Sequence, residues 1–141
     1  MEANELLIYQ GKVCPYCGKA SKFVDSKVVY GRSYGMIYLC QPCNAYCGVH
    51  KGTTKALGRL ANKELRDLKI QVHAAFDAIW KNNHMRRTDA YKWLADKLEV
   101  EARFSHIGMM SEELCSGAIA ACNEYVHTVG AIASNLTVPA T

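Results

Sequence analysis

Cys14-Pro15-Tyr16-Cys17-Gly18 and Cys40-Gln41-Pro42-Cys43 are the stretches that decide how this chain is read. Each sets two thiols three positions apart on a tight turn, and 22 residues separate Cys17 from Cys40. Zinc accepts a tetrahedron of thiolates at about 2.3 Å, and one such turn supplies two of its corners. A hairpin that brings the second turn beside the first supplies the other two. The gap is longer than the usual ~15–20 residues, and turns at Gly31 and Gly35 absorb the excess. The expectation is therefore one Zn²⁺ per chain, held by Cys14, Cys17, Cys40 and Cys43. Gly18 lets backbone N–H groups turn toward the sulfurs. Rubredoxin-like iron uses the same four ligands. A redox Cys-x-x-Cys belongs at a helix start in a βαβ setting, which neither pair has.

The residues around these turns read as short strands. Phe23-Val24 and Val28-Val29-Tyr30 are β-prone and flank a polar turn at Asp25-Ser26, and Met36-Ile37-Tyr38-Leu39 leads into the second cysteine pair. Strand, cysteine turn, hairpin, cysteine turn is the order of a zinc ribbon, expected over residues 1–50. Residues 51–61 read as a basic, glycine-rich connector. Helical periodicity takes over after it, within a bundle expected over 62–130. Asn62 is an N-cap candidate, and Leu65, Leu68, Val72, Phe76 and Ile79 form one helix face that ends at Asn82-Asn83. Thr88-Asp89 caps a second helix with Tyr91, Leu94, Ala95 and Leu98. Ser111-Glu112-Glu113 opens a third with Leu114, Cys115, Ala118, Ile119, Cys122 and Val126. Residues 131–141 read as a frayed tail. The fold class is thus α+β: an N-terminal zinc ribbon packed on a C-terminal bundle of about three helices.

Composition narrows the function classes. The chain has 141 residues, half of them apolar and 21% charged, as in ordinary globular proteins. No apolar run reaches the ~20 residues of a membrane span. The first ten residues, MEANELLIYQ, hold two acids and no basic region, so a secretory signal is not expected and the expected location is cytoplasmic. Seven cysteines, an odd number, suit metal binding in a reducing compartment better than disulfides. The basic charge is uneven: eight Lys/Arg against three Asp/Glu in residues 1–60, and nine against ten in residues 61–141. That favours a polyanionic partner, although the density is below that of a dedicated DNA-binding arm.

The segment Cys40-Gln41-Pro42-Cys43-Asn44-Ala45-Tyr46-Cys47-Gly48-Val49-His50-Lys51-Gly52-Thr53, then Leu57-Gly58-Arg59-Leu60-Ala61 and Phe76-Asp77-Ala78-Ile79-Trp80, resembles a family of small bacterial and bacteriophage proteins with a zinc-finger-containing domain of unknown function. Ala90-Tyr91-Lys92-Trp93-Leu94-Ala95 and His106-Ile107-Gly108-Met109 extend the resemblance over residues 14 to about 122. The resemblance implies a zinc finger and a phage or prophage setting, and no activity. The family usually has an aliphatic residue where this chain has Cys47, which argues against Cys47 as a ligand.

Beyond the metal, His50, Lys51, Lys55 and Arg59 gather on the glycine-rich loop, and Arg86 and Arg87 sit with Lys81, His84 and Lys92 at the first helix–helix junction. Both clusters suit phosphate contacts; solvated loops and helix ends carry the same residues. Trp80, Tyr91 and Trp93 suit either base stacking or a core. Tyr16, Tyr30, Tyr34, Tyr38 and Tyr46 interleave with Lys19, Lys22, Lys27 and Arg32 in the ribbon, as on a nucleic-acid face, and some of them must cover the zinc site. His73 and Asp77 at i and i+4 are the nearest approach to a catalytic pair, and an exposed helical contact accounts for them. No nucleophile–base pair or carboxylate pair is recognisable. The expected function is a non-enzymatic module that engages nucleic acid (DNA or RNA). The alternative is a protein-binding modulator or inhibitor of a host enzyme or defence system.

Overall fold

β2, Met36–Cys40, is the centre of a three-stranded antiparallel sheet of order β1-β2-β3, with β1 at Lys22–Asp25 and β3 at Ala45–Gly48. Ile37 and Leu39 alternate along β2 and bury their side chains on one face, as a half-covered strand requires. Leu39 is opposite Lys22 on one side and Tyr46 on the other, and Cys40 ends the strand opposite Ala45. The computed structural model describes residues 3–82 and 85–137, with side chains described to residue 130. The fold is α+β, with its helices mostly C-terminal.

Two compact units share the chain: one runs to Asp67 and takes in Gly108–Ser111, and the other comprises Leu68–Ile107 and the chain from Glu112. The first opens with a helix, α1, Ala3–Tyr9, inside the span expected as zinc ribbon. Its sheet differs from the expected ribbon at two places, the first being β3 itself, a strand after the second cysteine turn where none was expected. At the second, Val28-Val29-Tyr30, β-prone by composition, forms a helical turn, α2 (Lys27–Tyr30). Local polar groups outweigh propensity here: the Asp25 carboxylate accepts the Lys27 N–H at 2.8 Å and the Ser33 hydroxyl at 2.9 Å, and Gly31 closes the turn in the left-handed region. Those two donors, Lys27 first, hold the Asp25 carboxyl below its ordinary value.

The segment expected as a connector, 51–61, is in its second half a return along β3. Tyr46 and Ala61 exchange backbone hydrogen bonds of 3.1 and 3.0 Å, and the Leu57 N–H donates to the Gly48 carbonyl at 2.9 Å. Leu60 is fully buried. Gly58 lies flat against the backbone of Gly108, where even a methyl group would overlap the Gly108 carbonyl. The first unit has few large aliphatic core residues: Ile37, Leu39, Leu60, Leu65 and Met110. At ~1.5–3 kcal/mol each they contribute roughly 10 kcal/mol. A structural zinc contributes on the same order, so the metal ranks beside these five side chains in holding the unit together.

The helices follow the periodicity. α3 spans Lys63–Trp80, and the Asn62 side-chain oxygen accepts the Leu65 N–H at 3.0 Å, the expected N-cap. α4, Arg87–Leu98, starts one turn position before the expected Thr88-Asp89 cap. Arg86 occupies the cap without a side-chain bond, and Asp89 lies in the first turn, where the helix dipole favours an acid. Two short 3₁₀ turns follow, Ala102–Ser105 and Ile107–Met109. α5 opens at Glu112 and continues to Thr137, seven residues past the expected fraying point, because 131–137 contain no helix breaker. Residues 138–141 and His84 lie outside the described residues.

In the second unit Val72, Phe76, Ile79, Ala90, Leu94, Ala118 and the two α5 cysteines are buried. Cys115 and Cys122 are core residues, as their spacing suggested, and burial pushes the Cys122 thiol up to about 11. Phe76 packs at a tilt against Tyr91, centroids 4.6 Å apart, and Trp93 meets Tyr125 edge-on at 5.1 Å.

Candidate metal centre

Each cysteine turn closes through a backbone hydrogen bond, one residue longer in the first turn than in the second. After Cys14 the Gly18 N–H returns to the Cys14 carbonyl at 2.9 Å, and the Cys14 N–H donates to the Lys19 carbonyl at 2.8 Å. After Cys40 the Asn44 N–H returns to the Gln41 carbonyl at 3.0 Å. The residue following the second cysteine is left-handed in both: Gly18 at φ 76° and Asn44 at φ 49°. Asparagine is among the few side chains that enter this region readily. β2 and β3 then hold the second turn at the end of the sheet, while a Val13–Ala20 bridge closes the base of the first.

The outcome is a cluster in which the sulfurs of Cys14, Cys17, Cys40 and Cys43 all lie within 4.8 Å of one another. A tetrahedron with 2.3 Å metal–sulfur bonds has sulfur–sulfur edges of about 3.8 Å. The Cys17–Cys40 edge, which joins the two turns, is 3.6 Å. The donor set, number and spacing therefore fit one zinc ion. Cys14 and Cys40 are buried, Cys43 is half-buried and Cys17 is exposed. Leu60, Ala45, Tyr16 and Tyr38 pack round the cluster, so two of the five ribbon tyrosines do cover it.

Backbone donors and burial divide the thiols. The Lys19 N–H draws the exposed Cys17 down to about 7. Loss of surrounding water pushes Cys43 up to about 12 and raises Cys40, against the pull of the Cys43 N–H. Cys17 thus gives up its proton more readily than Cys40 or Cys43, and metal binding requires those two to follow. Four protein thiolates leave no open coordination position, the hallmark of a structural site.

A model of a family described as a zinc-finger-containing domain matches residues 10–125. The chain belongs to that family. This zinc-finger-containing domain uses its four clustered cysteines as a Cys₄ site for one zinc ion per chain. No curated protein and no solved structure matches the chain.

The remaining predicted residues are spread out. Cys47 is outside the cluster; its Sγ donates to the carbonyls of Gly48 at 3.3 Å and Gly58 at 3.4 Å. His50, Lys51 and Lys55 share one exposed turn, tied by a bond of 2.9 Å from the His50 N–H to the Lys55 carbonyl. Arg59 has left that turn: it is half-buried, and its Nε has no partner among the described residues. Arg86 and Arg87 belong to the second unit. There Arg87, Tyr91, Lys92 and His106 line a shallow cleft, and the Arg87 guanidinium lies 5.6 Å from the Trp80 ring and 5.4 Å from that of Tyr91. Asp77 accepts from Trp80 Nε1 at 2.9 Å and pairs with Lys81 at 3.1 Å, so its carboxylate is engaged away from His73.

Sequence reasoning missed Asn44 and Arg66. Arg66 Nη1 donates to the carbonyls of Asn44 and Ala61, both at 2.7 Å, and the guanidinium covers Tyr46 at 4.2 Å. Nothing in a single helical arginine announces that role. Asn44 was detectable, because it stands where Gly18 stands when the two cysteine turns are aligned. No helix among the described residues is long and apolar enough to cross a membrane.

Proposed function

We propose that this protein is a non-enzymatic zinc-binding module that engages nucleic acid, in a phage or prophage setting. The observation that carries this reading is the turn bearing His50, Lys51 and Lys55. All three side chains are exposed, and none of the described carboxylates pairs with either lysine. The turn is built by its own polar groups: Thr53 gives its hydroxyl to the His50 carbonyl at 2.9 Å and accepts the Lys55 N–H at 3.1 Å. Tyr38, whose ring packs against the metal cluster, gives its hydroxyl to the Thr54 carbonyl at 2.6 Å. Zinc on this reading orders a cationic turn, and the turn contacts phosphates.

Mobility-shift titration with DNA and RNA at low salt tests it. Binding should fall steeply with salt, and Lys51→Glu or Lys55→Glu should weaken it on all sequences alike. No shift with either nucleic acid sinks the reading. A second reading, a modulator or inhibitor of a host protein, is favoured by apolar side chains left in solvent: Leu6, Val28 and Ile70. Pull-down from host lysate with mass spectrometry addresses that partner.

A further inference from the structure

Tyr34 is 69% exposed and Tyr30 is 52% exposed, on a segment that is anything but loose. Ser26, buried beneath it, accepts the Tyr34 N–H on its hydroxyl at 2.7 Å and donates its own N–H to the Gly35 carbonyl at 2.8 Å. The Asp25 carboxylate ties down Lys27 and Ser33. Both tyrosines are therefore held out by a preordered backbone.

Their rings belong to a longer series. Tyr30 meets Tyr34 edge-on, centroids 5.6 Å apart, and meets Tyr46 edge-on at 5.8 Å. The Arg32 guanidinium lies 5.4 Å from the Tyr34 ring, and that of Arg66 lies 4.2 Å from Tyr46. Arg32, Tyr34, Tyr30, Tyr46 and Arg66 thus form one run of three π-systems with a cation at each end. Neither arginine is ion-paired among the described residues; Arg66 donates only to backbone carbonyls. The exposed Lys27 is on the same helical turn as Tyr30.

We propose that this run is a stacking platform for single-stranded nucleic acid. The proposal rests on the nucleic-acid reading above and narrows it to unpaired strands. Bases in a duplex are already stacked on each other, so only an unpaired strand offers faces to tyrosines, while its phosphates suit Arg32, Arg66 and Lys27. A cationic peptide is a poorer occupant, since the chain's own arginines already take the cation positions. The preordered segment keeps the ordering cost of binding small.

Fluorescence anisotropy with labelled oligo(dT), oligo(U) and a duplex of equal length tests this at low salt. Both single strands should bind more tightly than the duplex, and the ratio of the first two separates DNA from RNA. Tyr34→Ala should weaken single-strand binding roughly ten-fold, and Tyr34→Phe should restore it. Arg32→Ala should flatten the salt dependence by about 0.7 in slope. Zinc content and circular dichroism confirm that each variant is folded. The platform is overturned if the duplex is preferred, or if folded Tyr34→Ala binds like wild type. If Lys51→Glu weakens binding in that case, the nucleic-acid reading stands without the platform. If wild type binds none of the three probes, both fall together.

Discussion

In the first cysteine turn a glycine follows Cys17 at φ 76°; in the second an asparagine follows Cys43 at φ 49°. The left-handed step after the second cysteine is common to both, and the surroundings are not. The second turn ends a central strand, buries Cys40, and is gripped through its Asn44 carbonyl by Arg66. The first leaves Cys17 exposed while burying Cys14, and reaches the start of α3 through the Tyr16 hydroxyl, which accepts the Asn62 N–H at 3.3 Å. Equal ligands need not be equal parts of a fold. Each turn puts one cysteine in the core, Cys14 and Cys40, but the second is also the end of the central strand and is held by Arg66.

That asymmetry can be broken at the metal first. Cys40→Ser should remove the zinc and unfold the first unit, a loss on the order of 10 kcal/mol, seen as zinc absent by elemental analysis and a lost cooperative melt. Cys17→Ser, at an exposed corner, should leave a folded protein with weakened zinc affinity. Equal collapse in the two variants would erase the distinction. A milder probe is thiol labelling of the zinc-loaded protein: Cys17 should react with iodoacetamide ahead of Cys14 and Cys40, by roughly ten-fold or more, as read by peptide mass spectrometry.

The anchors come next. Arg66→Ala removes two short charge-assisted hydrogen bonds and should destabilise by about 2–3 kcal/mol with zinc retained. Tyr16→Phe removes one long bond and should cost about 1 kcal/mol or less. Thermal melts of both variants rank the anchors. The smallest effect sharpens the shared left-handed step. Asn44→Gly should be within a few tenths of a kcal/mol of wild type, while Gly18→Ala should lose about 1–2 kcal/mol in chemical denaturation.

The metal site was legible because a ligand set is written in residue type and spacing, both visible in the chain. α3 was legible through Asn62 and its apolar face. Val28-Val29-Tyr30 was not, because propensity pointed to a strand while the Asp25 carboxylate, the Ser26 backbone and Gly31 built a helical turn. The 51–61 segment looked like a linker for its glycines, and the partners that make it structural are distant in sequence. The site at Gly58 depends on Gly108, fifty positions on, and no local pattern encodes that pairing.

That pairing also sets an order on synthesis. Ribosomes deliver the chain from its N-terminus at ~5–20 residues per second, so the cysteines and the sheet emerge well before Gly108 and Met110, which belong to the same compact unit. For several seconds the nascent domain holds its four zinc ligands without the segment that seals Gly58. Metal capture can precede closure, and a message truncated after α3 would encode the thiols without the seal.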